Sequence, residues 1–297
     1  MTKPPTIHLV DSGAGGKGKS LFTLATAHYC ETKSYYIQLI DADRATYNVK
    51  RHYPDAIATV LSEVEYQALD AVWHSVEQAK SVLVNLPGGA HESVANWLER
   101  DGLLDMPLDN GQSVCFIKWF LCDPTEQSLV LLKQSLATDA QSANRMLHVM
   151  VKNEFLGTDL QWQSCAQMVE ADVDLQAAIK AGRLLEMKFP KFPPYERNKF
   201  YQSGWTFATA LKLPKELEAE MPNPHLRFER LEQQRIATFL KKTNHELELL
   251  GLWNETLTLD EAKANGLLSK TNQLGNHKNS KGFDKSSDKQ LQMKTSN

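Results

Sequence analysis

The chain has 297 residues, 42% of them hydrophobic and 23% charged, with a formal net charge of -3. That length fits one α/β domain of roughly 200–250 residues plus a tail, or two small domains, and is enough to fold without disulfide or metal staples. Near-neutral charge gives no global argument for nucleic-acid binding, no run reaches the roughly 18 apolar residues of a membrane span, and the first residues lack the apolar stretch of a signal peptide, so a cytoplasmic location is expected.

In chain order, Ile7 to Val10 is a short apolar run ending at a Gly-rich turn. After the turn Leu21, Leu24, Ala25 and His28 recur at helical spacing, which reads as strand, loop, helix. Tyr36 to Ile40 is a second candidate strand. Residues 55–79 carry helical periodicity through Ile57, Val60, Leu61, Val64, Leu69 and Val72. Ser81 to Val84 is a third strand, stopped by Pro87-Gly88-Gly89, and a helix through Val94, Trp97 and Leu98 follows. Val114 to Cys122 is apolar except for Lys118 and reads as a buried strand. Gln127 to Leu136 is amphipathic helix, and Leu147 to Val151 another strand. Apolar strands alternating with helices predict an α/β, three-layer fold with a mostly parallel central sheet.

Farther on, residues 188–194 (KFPKFPP) are expected to interrupt regular structure, and 225–250 to form one helix. The domain is expected to span 1–250, with 251–268 connecting it to a tail. That tail, 269–297, holds six Lys against two Asp and few apolar residues, a composition expected to be disordered. Its charge leaves open a weak, salt-sensitive contact with DNA. Cys30, Cys115, Cys122 and Cys165 form no C-x-x-C pair, so neither a zinc nor a redox motif is indicated and buried free thiols are expected.

Gly13-Ala14-Gly15-Gly16-Lys17-Gly18-Lys19-Ser20 matches the phosphate-loop pattern G-x-x-x-x-G-K-[ST] in full. Each residue type has a reason. Gly13, Gly15, Gly16 and Gly18 let backbone N–H groups approach phosphate oxygens. The helix that follows points its positive end at the same anion. Lys19 reaches the terminal phosphates, and the Ser20 hydroxyl serves Mg²⁺. The expected ligand is ATP with Mg²⁺.

These residues resemble the ParA/MinD-type P-loop ATPases, and within them the TraL-like proteins of conjugative or mobilisable plasmids. The likeness lies in IHLVDSGAGGKGKS and in IQLIDADRATYN, with NEFLG at 153–157 similar to a later family segment. It implies a P-loop NTPase-type fold, with Asp41 and Asp43 beside the phosphate loop. Asp41 would serve Mg²⁺ and Asp43 would orient an attacking water; ending a strand and capping a helix is the plainer alternative. Asn153 would read adenine, or simply terminate a strand. The family also implies an ATP-dependent homodimer and a partner in plasmid partition, stability or transfer.

Two departures bear on catalysis. The family's second lysine follows the first Gly; that position is Ala14, and a lysine stands at Lys17 instead. Lys17 either supplies the same charge or is an ordinary solvated residue. The third strand ends in Asn85 where the family often has Asp, and an amide oxygen is a weaker ligand for a hard cation. Slow or absent hydrolysis is expected. A catalytically weak adaptor and a small-molecule kinase or ligase of the same fold remain the other readings. His8 reads as a core residue, and Asp123-Pro124-Thr125 as a turn or switch loop. The aromatics and cations between Lys188 and Lys199 read as loop packing rather than a nucleic-acid surface.

Overall fold

Alternation along the central strands dictates two buried faces. In β1 (Thr6–Asp11) Ile7 and Leu9 point to one side and His8 and Val10 to the other, and all six residues are buried. Such a strand must be covered twice, which is the condition for a parallel sheet between helical layers. The computed structural model describes residues 5–61, 69–79, 81–138, 146–212 and 226–253. All of them belong to the unit formed by residues 1–259.

Among the described residues one sheet of seven strands has the order β3-β2-β4-β1-β5-β6-β7. The other strands are β2 (Gln38–Asp41), β3 (Ile57–Ala58), β4 (Ser81–Asn85), β5 (Cys115–Cys122), β6 (Met146–Asn153) and β7 (Leu184–Phe189). Every pairing is parallel, so the expected mostly parallel sheet is wholly so. In the register, Val10 lies opposite both Asn85 and Trp119.

On one face lie α1 (Lys19–Thr32), α2 (Asn48–His52), α8 (Pro194–Ser203), α9 (Phe207–Ala210) and α10 (Arg230–Leu250). Phe22, Phe189, Phe192, Phe200, Phe207 and Phe239 build an aromatic core there. The other face carries α3 (Asp70–Ala79) and α4 (His91–Arg100) over one core, and α5 (Glu126–Thr138), α6 (Asp159–Ala171) and α7 (Val173–Lys180) over a second. Local signals set several ends. Thr158 and Gln161 form a reciprocal capping box at the start of α6. Asp172 caps α7 by accepting from the Asp174 and Leu175 N–H groups.

Beyond α10, Trp253 is fully buried and its ring lies 3.8 Å from that of His8, nearly parallel to it. The Trp119 Nε1–H donates to His8 Nδ1 at 3.2 Å, so the ring's own proton sits on Nε2. Burial pushes the His8 imidazole down to about 3, which keeps it neutral. His8 is thus a core residue, as expected from the sequence.

Three expectations need correction. The 55–79 periodicity is not one helix: Ile57 and Ala58 add a strand at the sheet edge, and α3 begins only at Asp70. Residues 188–194 do not simply break structure. Lys188 and Phe189 finish β7, and Pro194 opens α8, where a first-turn proline gives up an N–H that the helix cannot use anyway. Cys115 is exposed, whereas the other three thiols are buried. The 251–268 connection beyond Trp253 and the 269–297 tail lie outside the described residues. Among those described, no helix is long and apolar enough to cross a membrane.

Candidate functional site

β1 occupies the centre of the sheet, with β4 on one side and β5 on the other. The chain leaves its carboxyl end at Asp11 and re-enters a helix at Lys19. The connecting loop therefore stands where the strand order changes direction, the usual ligand position in an open parallel sheet. This strand–phosphate loop–helix unit on the central strand, with helices on both faces, is the three-layer α/β fold of P-loop NTPases.

Gly18 and Gly88 show why glycine is needed around the loop. Gly18 has φ 95°, and a Cβ there would lie 2.5 Å from Asn153 Nδ2. Gly88, after β4, packs so closely that a Cβ would meet Gly15 N at 2.6 Å. The Pro87-Gly88-Gly89 segment thereby braces the phosphate loop from one side.

Lys19 is 5% exposed, and its Nζ donates to Ser12 Oγ at 3.0 Å. Ser12 Oγ in turn donates to the Ala14 carbonyl at 2.7 Å. Burial pulls the Lys19 ammonium below its ordinary range, while Asp11 and Asp43 oppose the shift. Asp11 is itself fully buried. Its Oδ1 accepts from Ser12 N–H at 2.7 Å, and its Oδ2 has no hydrogen-bond partner among the described residues. Burial raises the Asp11 carboxyl above the usual range against the pull of Lys118, the Ser12 N–H, Lys19 and His91.

Lys17 turns away from this centre. Its Nζ donates to Asp123 Oδ2 in the β5–α5 loop, forming an ion pair. Asp123 Oδ1 also accepts from Thr125 Oγ and Ser128 Oγ, at 2.6 and 2.5 Å. Burial pushes the Asp123 carboxyl up, but these donors outweigh it and hold the group down to about 2. Lys17 is tied a second time, because its carbonyl accepts from Asn153 Nδ2 at 2.8 Å.

The sequence-derived site residues divide accordingly. Gly15, Gly16, Gly18, Lys19, Ser20, Asp43 and Asn153 all line one cavity of about 440 Å³. Gly13, Lys17, Asp41 and Asn85 do not. Asp41 is fully buried; its Oδ2 accepts from Val49 and Lys50 N–H groups at 2.8 and 3.0 Å, which caps α2. Its Oδ1 accepts from Asn85 Nδ2 at 2.9 Å, and Asn85 Oδ1 faces Thr23 Oγ at 3.5 Å. Asp43 is half-buried and organises its own turn, accepting from Ala45 N–H and Thr46 Oγ, both at 3.3 Å. The Asn153 amide oxygen accepts from Phe155 N–H at 3.2 Å. Among the described residues no group of three or more His, Cys, Asp or Glu side chains could hold a metal ion by itself.

The far end of the cavity escaped the sequence reading. It is walled by Phe155 and Leu156 after β6, by Pro190 and Phe192 after β7, and by Arg197, Asn198 and Tyr201 of α8. The sequence did hold one signal: Arg197 and Tyr201 are four apart, hence neighbours on one helix face. The aromatic residues of the 188–199 stretch behave as expected in part. Phe189 and Phe192 are buried, while Tyr195 is 65% exposed.

No protein-family model matches the chain, and no curated protein does. Among solved structures it is similar to a chain of the MinC:MinD cell division protein complex of Aquifex aeolicus, at 13% identity and TM-score 0.46, over 83% of this chain and 96% of that one. It is also similar to a nucleotide-binding protein in complex with ADP from Archaeoglobus fulgidus, at 15% identity and TM-score 0.38, over 61% and 88%. A GTPase from Pyrococcus abyssi in its apo form gives 14% identity and TM-score 0.39, over 62% and 90%. Likeness at that level carries no functional argument, and the chemistry of the cavity rests on its own residues.

Proposed function

We propose that this chain is an ATP-dependent switch of the ParA/MinD type. One observation carries the reading: a single cavity of about 440 Å³ runs from the phosphate loop, with buried Lys19 at its floor, to an apolar and aromatic wall. A nucleotide needs that combination, a cationic end for phosphates and an apolar end for a base, in a volume typical of small-molecule sites. Lys19 exchanges its bond to Ser12 for the terminal phosphates. Ser20 and Asp43 are the cavity-facing oxygens fit for Mg²⁺, which usually keeps several waters and takes few protein ligands. The ion would neutralise phosphate charge there. Asp43, fixed by its own turn and lining the same cavity, would orient an attacking water.

Turnover in this reading is slow. Ala14 is exposed at the loop tip and offers no cation, and the Asn85 amide is committed to Asp41 and Thr23. Nucleotide state would then govern assembly into a homodimer or binding to a partner protein. The resemblance to TraL-like proteins suggests plasmid partition, stability or DNA transfer as the setting. Calorimetry with Mg-ATP tests the reading. Lys19→Ala should weaken ATP by roughly 10- to 150-fold, the loss of a charged hydrogen bond worth about 1.5–3 kcal/mol. Equal affinity in the two proteins would overturn it.

A second reading, a monomeric nucleotide-binding adaptor, has its own support. Lys17, the candidate for a contact across a dimer, is engaged by Asp123 of its own chain. Sedimentation with a non-hydrolysable ATP analogue separates the two readings.

A further inference from the structure

The phosphate end of the cavity is explained by the loop, but Asn153 is poorly free to read a base. One of its amide protons is spent on the Lys17 carbonyl and its oxygen already accepts from Phe155 N–H. Two other cavity residues carry uncommitted polar groups. Arg197 lies over the Phe155 ring, its guanidinium carbon 4.0 Å from the centroid. Its side chain makes no ion pair or hydrogen bond among the described residues. Asn198 next to it is exposed, and its amide likewise has no partner there.

The helix that presents them is firmly held. Glu196 is buried and accepts from Arg235 Nη1 of α10 at 2.6 Å. Lys199 Nζ donates to both oxygens of Glu232, at 3.0 and 2.8 Å. Phe200 stacks on Phe207 with ring centroids 4.1 Å apart. Tyr201 completes the wall, and burial pushes its phenol up to about 12, so it stays a neutral donor and acceptor. A planar group backed by a ring and mounted on an anchored helix makes a rigid platform.

Resting on the nucleotide reading above, we propose that α8 is the base-recognition element: the Arg197 guanidinium, backed by Phe155, stacks on the face of a purine, and the Asn198 amide pairs with its edge. A guanidinium plane offers both stacking and cation–π attraction to a base. A side-chain amide presents a donor beside an acceptor, which matches the N6–H and N7 pair of adenine. Guanine presents two acceptors at the same edge. The class of ligand is therefore an adenine nucleotide, with α8 rather than the β6 turn selecting it.

The test compares ATP, GTP and inorganic tripolyphosphate, each with Mg²⁺, by calorimetry on the full chain. Arg197→Ala should weaken ATP by roughly 5- to 150-fold, the range of base stacking lost on alanine substitution, and leave tripolyphosphate unchanged. Arg197→Lys keeps the charge but not the plane, and should resemble Arg197→Ala. Asn198→Ala removes both the donor and the acceptor and should narrow the preference of ATP over GTP. Equal losses for ATP and tripolyphosphate would place Arg197 on the phosphates and overturn the proposal. So would unchanged ATP affinity in Arg197→Ala, or a wild type that does not prefer ATP to GTP. A wild type that binds tripolyphosphate but gains nothing from the base defeats only the α8 assignment; one that binds none of the three defeats the nucleotide reading itself.

Discussion

Lys17 joins three chain segments. Its ammonium holds Asp123, and its carbonyl holds Asn153, 106 and 136 positions away along the chain. A partly buried pair of this kind differs from a surface salt bridge, whose worth is about 0–1 kcal/mol. Lys17→Ala and Asp123→Ala should therefore be non-additive in urea unfolding, with a coupling of about 0.5–2 kcal/mol. Because the Asp123 carboxyl is held down to about 2, its share of stability is complete above about pH 4 and disappears as pH falls toward 2. Gly18 is the more sensitive neighbour. Gly18→Ala sets a Cβ against Asn153 in a left-handed conformation that costs on the order of 1–3 kcal/mol. It should lower both the unfolding midpoint and ATP affinity.

His8 gives a distinct pH signature. Its folded pKa, about 3, lies below the ordinary histidine value of 6.5, so between those limits the unfolded chain binds the extra proton. Stability is full above about pH 6.5 and falls on acidification, with a slope approaching ~1.4 kcal/mol per pH unit. His8→Phe keeps a ring against Trp253 and should flatten the stability profile between pH 6.5 and 5. His52 is also held low by burial, but it is present in both proteins, so the difference isolates His8.

Among the elements, Trp253 shows how far the last described turn reaches. It is fully buried and nearly parallel to Trp119, with centroids 6.3 Å apart, although it follows α10 in sequence. Trp253→Ala should cost about 3–5 kcal/mol in urea unfolding, the range for removing a buried aromatic side chain. Central elements were readable from the sequence for a physical reason. Strands covered on both faces become continuous apolar runs, so β1, β4, β5 and β6 stood out. Edge strands have no such constraint: β3 is two residues long, and in β7 the exposed Glu186 and Lys188 break the apolar run. The phosphate loop was legible because few chemistries place four glycines and two lysines in eight residues. The partners of its side chains were not. That Lys17 meets Asp123, or that Arg197 lies on Phe155, depends on which loops share the carboxyl edge of the sheet, and periodicity is silent on that.

For the whole molecule, the discriminating property is the coupling of nucleotide to assembly. If the switch reading holds, a non-hydrolysable ATP analogue should convert monomer to dimer at tens of micromolar in sedimentation, a concentration set to detect a Kd of about that size. Asp43→Ala should alter turnover more than dimerisation. The ligand can shift the population only by its differential affinity for the two states. Basal turnover should fall at or below the low end of the roughly 1–10³ s⁻¹ common to enzymes. A rate well inside that range would show that Ala14 and Asn85 do not impair the site.

The central position of β1 also sets an order of events during synthesis. Among the described strands β1 is made first, yet both of its sheet neighbours come much later: β4 begins at Ser81 and β5 at Cys115. At roughly 5–20 residues per second, on the order of 4–20 seconds separate the birth of that apolar strand from the arrival of its partners. Throughout that interval the segment bearing the phosphate loop has both edges unpaired. The nascent chain is then exposed to association with other chains through this strand, which is buried in the finished fold, so expression at lower temperature or with chaperone support should raise the soluble yield.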